Sequence, residues 1–186
     1  KIFKLSPGGD ALAYTKVGQE GGVWVFNANT GSRTLLMPGE ILDLAWQGDG
    51  SALAVVSLEE HNQRQLSVIS FDGVIGDDDT TVTRAVLSRG IDIHGPNWLP
   101  GTGLVIFGQN GMIYGGQNGI SIPLFTQGKL PGISPNGRQI AFLLGEKVLL
   151  YQLETGAYRE ICQLGDVKSL LWSPCGGYIA IETEAK

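Results

Sequence analysis

A short turn phrase occurs five times along the chain and constrains the fold more than any other feature. Its copies are centred on Pro7, Gly48, Pro100, Pro135 and Pro174, which lie 35 to 52 residues apart. Two positions before each centre stands a large apolar residue: Leu5, Trp46, Trp98, Ile133 and Trp172. Repetition at this period predicts an array of small, similar units, with each large apolar residue at a buried strand end.

Apolar strands follow each turn. Five to seven positions after the centre come consecutive apolar residues, such as 12–14 and 140–142, which indicate a strand covered on both faces. A further strand ends at Thr30-Gly31 in the first copy and at Thr155-Gly156 in the fourth, where glycine allows a tight hairpin turn. A fourth strand leaves that turn. The pattern predicts four strands in each of four copies and two strands in the fifth.

The turn phrase and the strands after it resemble the TolB-like β-propeller repeat, a relative of the WD40 repeat. The resemblance is carried by Ser6-Pro7-Gly8-Gly9 and its copies, and it covers nearly the whole chain. It implies an all-β propeller of four-stranded antiparallel blades within a single domain, 1–186. We place the blades at 1–38, 39–89, 90–127, 128–164 and, in part, 165–186.

About four and a half blades make an incomplete ring. Three explanations remain open. The chain is a fragment of a longer propeller, or a partner or second copy supplies the missing part, or the sequence keeps only the ordered part of the protein. An arc leaves apolar blade faces uncovered, so we expect self-association through the end blades.

Composition excludes some partners. Thirteen Lys and Arg against 18 Asp and Glu give a formal net charge of −5, which disfavours broad contact with nucleic acid phosphates. No apolar run reaches the roughly 18 residues that a bilayer crossing needs, so we expect no membrane insertion.

The two cysteines, Cys162 and Cys175, lack the paired spacing of a zinc site. We expect them at opposite ends of a sheet and therefore as free thiols, which favours a reducing compartment such as the cytoplasm. The TolB resemblance instead implies the periplasm, and the compartment stays open.

The longest connection, between Gly73 and Trp98, contains two extra stretches. The first carries Asp77, Asp78 and Asp79, whose oxygens suit a hard cation such as Ca²⁺. The run lacks the alternating ligand spacing of a helix-loop calcium site, so a solvated acidic loop is the favoured interpretation.

The second stretch, residues 89–96, lengthens the crossing to the third blade and should face the same side as the loop at 59–64. Their polar side chains form our candidate ligand-binding or partner-binding set: Glu59, Glu60, His61, Arg64, Arg89, Asp92 and His94. Exposed loop residues without a chemical role are the commoner case. We predict no cofactor.

Catalytic motifs are not found. The chain has no Gly-x-Ser-x-Gly nucleophile elbow, and the glycines at 115–119 open a hairpin rather than a phosphate-binding helix. The four tryptophans fall at strand positions, so core packing is favoured over a stacking surface for a ligand.

The leading hypothesis is a noncatalytic scaffold that binds another protein through its loop face. The alternative, also implied by the resemblance, is the propeller part of a larger enzyme of the prolyl oligopeptidase kind or of a metal-dependent lyase.

Overall fold

A computed structural model describes residues 1–73 and 80–184 of the chain. Within these residues the first sheet contains β1 Phe3–Leu5, β2 Ala11–Lys16, β3 Gly22–Asn27 and β4 Arg33–Pro38. The second contains β5 Glu40–Trp46, β6 Ala52–Leu58, β7 Arg64–Asp72 and β8 Thr81–Gly90. The third contains β9 Ile93–Trp98, β10 Val105–Gln109, β11 Met112–Gln117 and β12 Ile120–Phe125.

The fourth sheet contains β13 Lys129–Ile133, β14 Gln139–Leu144, β15 Lys147–Gln152 and β16 Tyr158–Gln163. The fifth contains β17 Val167–Trp172 and β18 Ile179–Thr183. In every sheet the strands pair antiparallel in chain order. The predicted four-stranded blades, with a fifth blade of two strands, are therefore confirmed.

First strands of neighbouring blades pack side by side, β1 with β5, β5 with β9, β9 with β13 and β13 with β17. The blades thus form an arc with their first strands on the inner side, and the ring is not closed. Each pair of neighbouring blades encloses an apolar cluster, giving four clusters in the described residues.

A small residue opposite a larger one lets the blades approach closely. Ala13 pairs with Val25, and the matching pairs in the second and fourth blades are Ala54 with Val68 and Ala141 with Leu150. The third blade reverses the sizes, because Ile106 pairs there with Gly115. The larger Ile106 thus partly offsets the missing side chain of Gly115 in the space between β10 and β11.

The turn phrase owes its recurrence to hydrogen bonds. In the fourth blade the Ser134 N–H donates to the Gln139 carbonyl at 2.9 Å, and Ser134 Oγ accepts from the Gln139 N–H at 2.9 Å. The backbone bond is made in all five copies, and the side-chain bond wherever the phrase begins with serine. In the third blade Gly101, with φ of 72°, follows Pro100 directly, as is typical of a type II turn.

Tryptophan side chains link neighbouring blades. Trp98 Nε1 donates to the Ala45 carbonyl at 3.0 Å, and Trp46 and Trp172 make equivalent bonds to the preceding first strand. Between the third and fourth blades the link is made by Asn97, whose Nδ2 donates to the Pro131 carbonyl at 2.9 Å.

Two packing predictions are wrong. Trp24 is half-buried and outside the core clusters of the described residues, with Lys16 Nζ 4.0 Å from its ring centroid. Leu5, predicted to be a buried strand end, is 64% exposed. The cause is its position on β1, because among the described residues the first blade has a neighbouring blade on one side only, the second blade.

Candidate functional site

The first strands of all five blades line a central cleft of about 550 Å³. Its polar and charged lining comes from Lys4 on β1, Asp43 on β5, His94 and Asn97 on β9, and Lys168 and Ser169 on β17. A cleft of this size lies within the range of ligand-binding pockets.

β-bulges in the first strands direct these side chains. In β5 the two residues after Ile41 oppose a single residue of β6, and β9, β13 and β17 each carry one extra residue in the same way. Gly95 in the β9 bulge has φ of 59°. A bulge bends its strand and re-aims the adjacent side chain, here Asp43 and His94.

The sequence analysis missed several residues of the cleft, namely Asp43, Lys4, Asn97 and Lys168. Asp43 Oδ1 accepts the Leu44 N–H at 2.8 Å, and the backbone of Gly95 donates to the same carboxylate. Burial raises the pKa of this carboxyl, while those two hydrogen bonds and the nearby Lys4 and His94 act in the opposite direction. The available signal was a lone aspartate in an otherwise apolar stretch of strand, residues 41–46.

Arg64, Asp92 and His94 are brought together. His94 Nδ1 lies 3.4 Å from Asp92 Oδ1, and one Arg64 guanidinium nitrogen lies 4.0 Å from the same oxygen. That nitrogen also donates to the Ile93 carbonyl at 3.0 Å. The His94 ring fits against Gly108, where a Cβ would collide with Nε2.

The other predicted residues are separate from this group. Arg89 Nε donates to the buried Gln65 Oε1 at 2.9 Å, within a polar network between the second and third blades. Glu59 accepts from the Ser57 hydroxyl at 2.7 Å. Glu60 and His61 are exposed on a short 3₁₀ turn, and in residues 1–73 and 80–184 no hydrogen bond or ion pair joins them to His94.

The stretch 89–96 is not a loop insertion as expected. Arg89 and Gly90 end β8, and β9 begins at Ile93, so only Ile91 and Asp92 connect the blades. The extra length there is absorbed by β8, which has ten residues where β4 and β16 have six.

Asp77, Asp78 and Asp79 lie outside the described residues. Within the part of the chain that the structure describes, no three His, Cys, Asp or Glu side chains are grouped to hold a metal ion. Cys162 is half-buried, Cys175 is exposed, and both are free thiols. The described residues include no helix long and apolar enough to cross a membrane.

Because neighbouring strands run in opposite directions, the loop between the second and third strands of each blade lies on the same side of the arc as the connections between blades. We call this side the loop face. It comprises residues 17–21, 39, 59–63, 91–92, 110–111, 126–128, 145–146 and 164–166. These segments contain six carboxylates, Glu20, Glu59, Glu60, Asp92, Glu146 and Asp166. They contain neither Lys nor Arg. They also expose the apolar side chains Val17, Ile91 and Leu164.

Solved structures with the same arrangement include TolB from Acinetobacter baumannii, with a TM-score of 0.69 and 19% identity. The alignment covers 95% of this chain and 47% of that one. The chain has a TolB-like and WD40-like propeller fold. The Cps50 (Swd1) β-propeller domain from Myceliophteria thermophila matches this propeller with a TM-score of 0.67 and 14% identity, covering 97% of this chain and 61% of that chain.

A puromycin-hydrolyzing peptidase from Mycobacterium tuberculosis also matches the propeller, with a TM-score of 0.65 and 16% identity. That alignment covers 90% of this chain and 31% of the peptidase. The propeller thus spans about half of the TolB chain and a third of the peptidase. No protein-family model and no curated protein matches the sequence.

Proposed function

We propose that this propeller is a noncatalytic scaffold, a single domain spanning residues 1–186, that binds a protein partner through the loop face. The observation that carries the proposal is the composition of the loops on that face, which hold six carboxylates, three exposed apolar side chains and neither Lys nor Arg. Such a surface complements a partner segment with basic and apolar side chains.

The loop face continues into the central cleft. Asp92 belongs to a blade connection, and its neighbour His94 lines the cleft. Basic residues at the adjoining strand ends neutralise part of the face, since Lys16 pairs with Glu20 at 2.8 Å and Arg64 lies beside Asp92. Lys129 and Lys147 are also exposed at this end, where they begin β13 and β15. Glu60 and Asp166 lie in exposed positions on the loops and form no ion pair within the described residues.

Similarity to TolB and Swd1 propellers supports a scaffold role at the level of fold. The peptidase similarity is likewise one of fold, and it adds no catalytic residue in this chain. The enzyme alternative therefore has no advantage over the scaffold.

Site-specific photocrosslinking in cells that express the full-length protein tests the proposal. A photoreactive residue at Ile91 on the loop face should give a discrete protein adduct, and one at Glu154 on the opposite face should not. Combining the probe at Ile91 with Glu60→Lys and Asp166→Lys should reduce the adduct about tenfold, because charge repulsion opposes a basic partner.

The matched control carries the probe at Ile91 together with Asp49→Lys, which reverses a charge on the opposite face, and should retain the adduct. Equal adducts from Ile91 and Glu154, or an adduct indifferent to the loop-face reversal, would contradict the proposal.

We also propose self-association through the two end blades. Phe3 and Leu5 are exposed on β1, and Leu171 and Tyr178 are exposed on the fifth blade. Apolar surface of this kind at both ends of an arc favours head-to-tail contact between copies.

A further inference from the structure

An apolar groove of about 410 Å³ opens between the third and fourth blades and shares no residue with the central cleft. Its apolar lining consists of Leu124, Phe125, Phe142, Leu144, Leu149 and Tyr158. The first two come from the third blade and the other four from the fourth, so the groove lies at the junction of two rigid sheets.

Aromatic rings form one wall of the groove. Phe125 stacks on Phe142 with ring centroids 5.2 Å apart and meets the edge of Tyr151 at 4.9 Å. Tyr158 lies 4.9 Å from Tyr151 and is 57% exposed, so its ring is open to further contact. Rings held in offset and edge-to-face contact offer both faces and edges to an additional ring.

The groove depends on residues particular to the third blade. Gly115 occupies the position of Val25, Val68 and Leu150 in the other complete blades. Leu124 is the extra residue of a bulge in β12, and its Cδ1 would lie only 3.1 Å from a Cβ at position 115. Glycine therefore leaves room for Leu124 to lean towards β11.

Among the residues that the structure describes, the lining carries no ionisable group other than the Tyr158 phenol, and its other polar side chains are Thr126 and Gln127. An ionised ligand would lose hydration there without gaining an opposite charge, whereas an uncharged ring would gain apolar and aromatic contact. The volume lies within the range of about 300 to 1,000 Å³ typical of small-molecule sites. The amide of Gln127 and the hydroxyl of Thr126 offer hydrogen bonds to one polar substituent.

We propose that this groove is a binding site for a small, uncharged aromatic ligand. The ring packs against Tyr158 and Phe125 beneath Leu124, and Gln127 or Thr126 orients its polar substituent. The site adjoins the loop face through Thr126 and Gln127, but it uses none of the residues altered to test the scaffold function, so the two proposals can fail separately.

Indole is a suitable probe, because it combines an uncharged bicyclic ring with one N–H donor. Saturation-transfer NMR and titration of the intact protein should show saturable binding with a dissociation constant on the order of 1 mM, as expected for so small a ligand. Tyr158→Ala should weaken binding about tenfold through loss of one ring contact, and Tyr158→Phe should leave it unchanged.

A blocking variant gives a second measurement. Leu124→Trp should fill the groove and abolish saturable binding, whereas Leu35→Trp should not. Leu35 is a matched control, because it is 41% exposed on the fourth strand of the first blade and Leu124 is 39% exposed on that of the third. Thermal unfolding establishes whether each variant is folded. If Leu124→Trp does not fold, the binding measured for Tyr158→Ala decides whether the proposal holds.

Three results would overturn the proposal. The first is the absence of saturable indole binding, and the second is equal loss of binding in the Leu35→Trp variant. The third is a concentration-dependent mass in light scattering that Leu124→Trp removes, because the groove would then be a contact between copies.

Discussion

Asp43 shows how a single side chain depends on its surroundings. Its carboxylate lies in a strand that packs between two blades, where the Leu44 and Gly95 N–H groups stabilise it and burial opposes its charge. Burial is the largest of these effects, so the folded chain holds the Asp43 proton more tightly than the unfolded chain does.

This pKa shift predicts a pH-dependent effect of Asp43→Asn. A pKa raised above the ordinary 3.8 stabilises the fold at low pH, and that stabilisation is lost as pH rises from 3.8 through the raised value. The amide keeps an oxygen for the Leu44 N–H and carries no charge. The variant should therefore have a higher free energy of unfolding than the parent at about pH 7, with the difference shrinking towards about pH 3.

Urea unfolding across this pH range measures the difference. Asp49→Asn is the control, because its carboxylate lies in an exposed turn and hydrogen bonds from Ser51 lower its pKa. The control should change stability in the opposite sense. A difference for Asp43→Asn that grows as pH falls would contradict the prediction.

At the scale of the element, the Ser-Pro turn is stabilised by its own side chain. Ser134 is 1% exposed, and its hydroxyl accepts the Gln139 N–H at 2.9 Å and donates to Asn136 Oδ1 at 2.8 Å. Serine at this position thus satisfies a strand-end N–H and sets the turn that follows, which explains why the phrase recurs.

Ser134→Ala should lower the free energy of unfolding by about 1 to 2 kcal/mol, since the partly buried Gln139 N–H loses its side-chain acceptor. Ser173→Ala is a matched control at the same repeat position, where water can reach the Tyr178 N–H, and should cost less than about 0.5 kcal/mol. Urea unfolding measures both, and an equal cost at the two positions would contradict this account.

Among the structural elements, the strands can be predicted from the sequence pattern, whereas the bulges cannot. Strands such as β3 and β15 follow from apolar runs ending at glycine turns, and the structure confirms them. The bulges that direct Asp43 and His94 leave no comparable mark, because one extra residue changes the register with a partner strand that is distant in sequence.

At the scale of the whole molecule, an open arc has two ends. Each interior blade is covered on both sides by neighbours, whereas β1 exposes Leu5 and the fifth blade exposes Leu171. The exposure of Leu5 therefore reflects its place in the arc rather than its place in the repeat.

Leu5→Lys and Leu171→Lys should each reduce self-association at least several-fold, because a charge at an apolar contact opposes burial. Sedimentation velocity over a range of protein concentrations measures the effect. Ile120→Lys on the outer strand of the third blade, also at an exposed apolar position, is the control and should have no effect. A parent protein that stays monomeric at all concentrations would contradict self-association.

The sequence alone determined the number of blades, the strands of each and the turn chemistry, because these depend on contacts among residues near in the chain. It also indicated that Arg64, Asp92 and His94 face one side, since loop polarity follows from strand order. The tertiary structure decided that these three meet, that Arg89 joins a separate network and that Asp43 lines the cleft. The tertiary structure alone also revealed the aromatic groove. All of these features depend on packing between blades, because side chains from different blades meet only when the chain is folded.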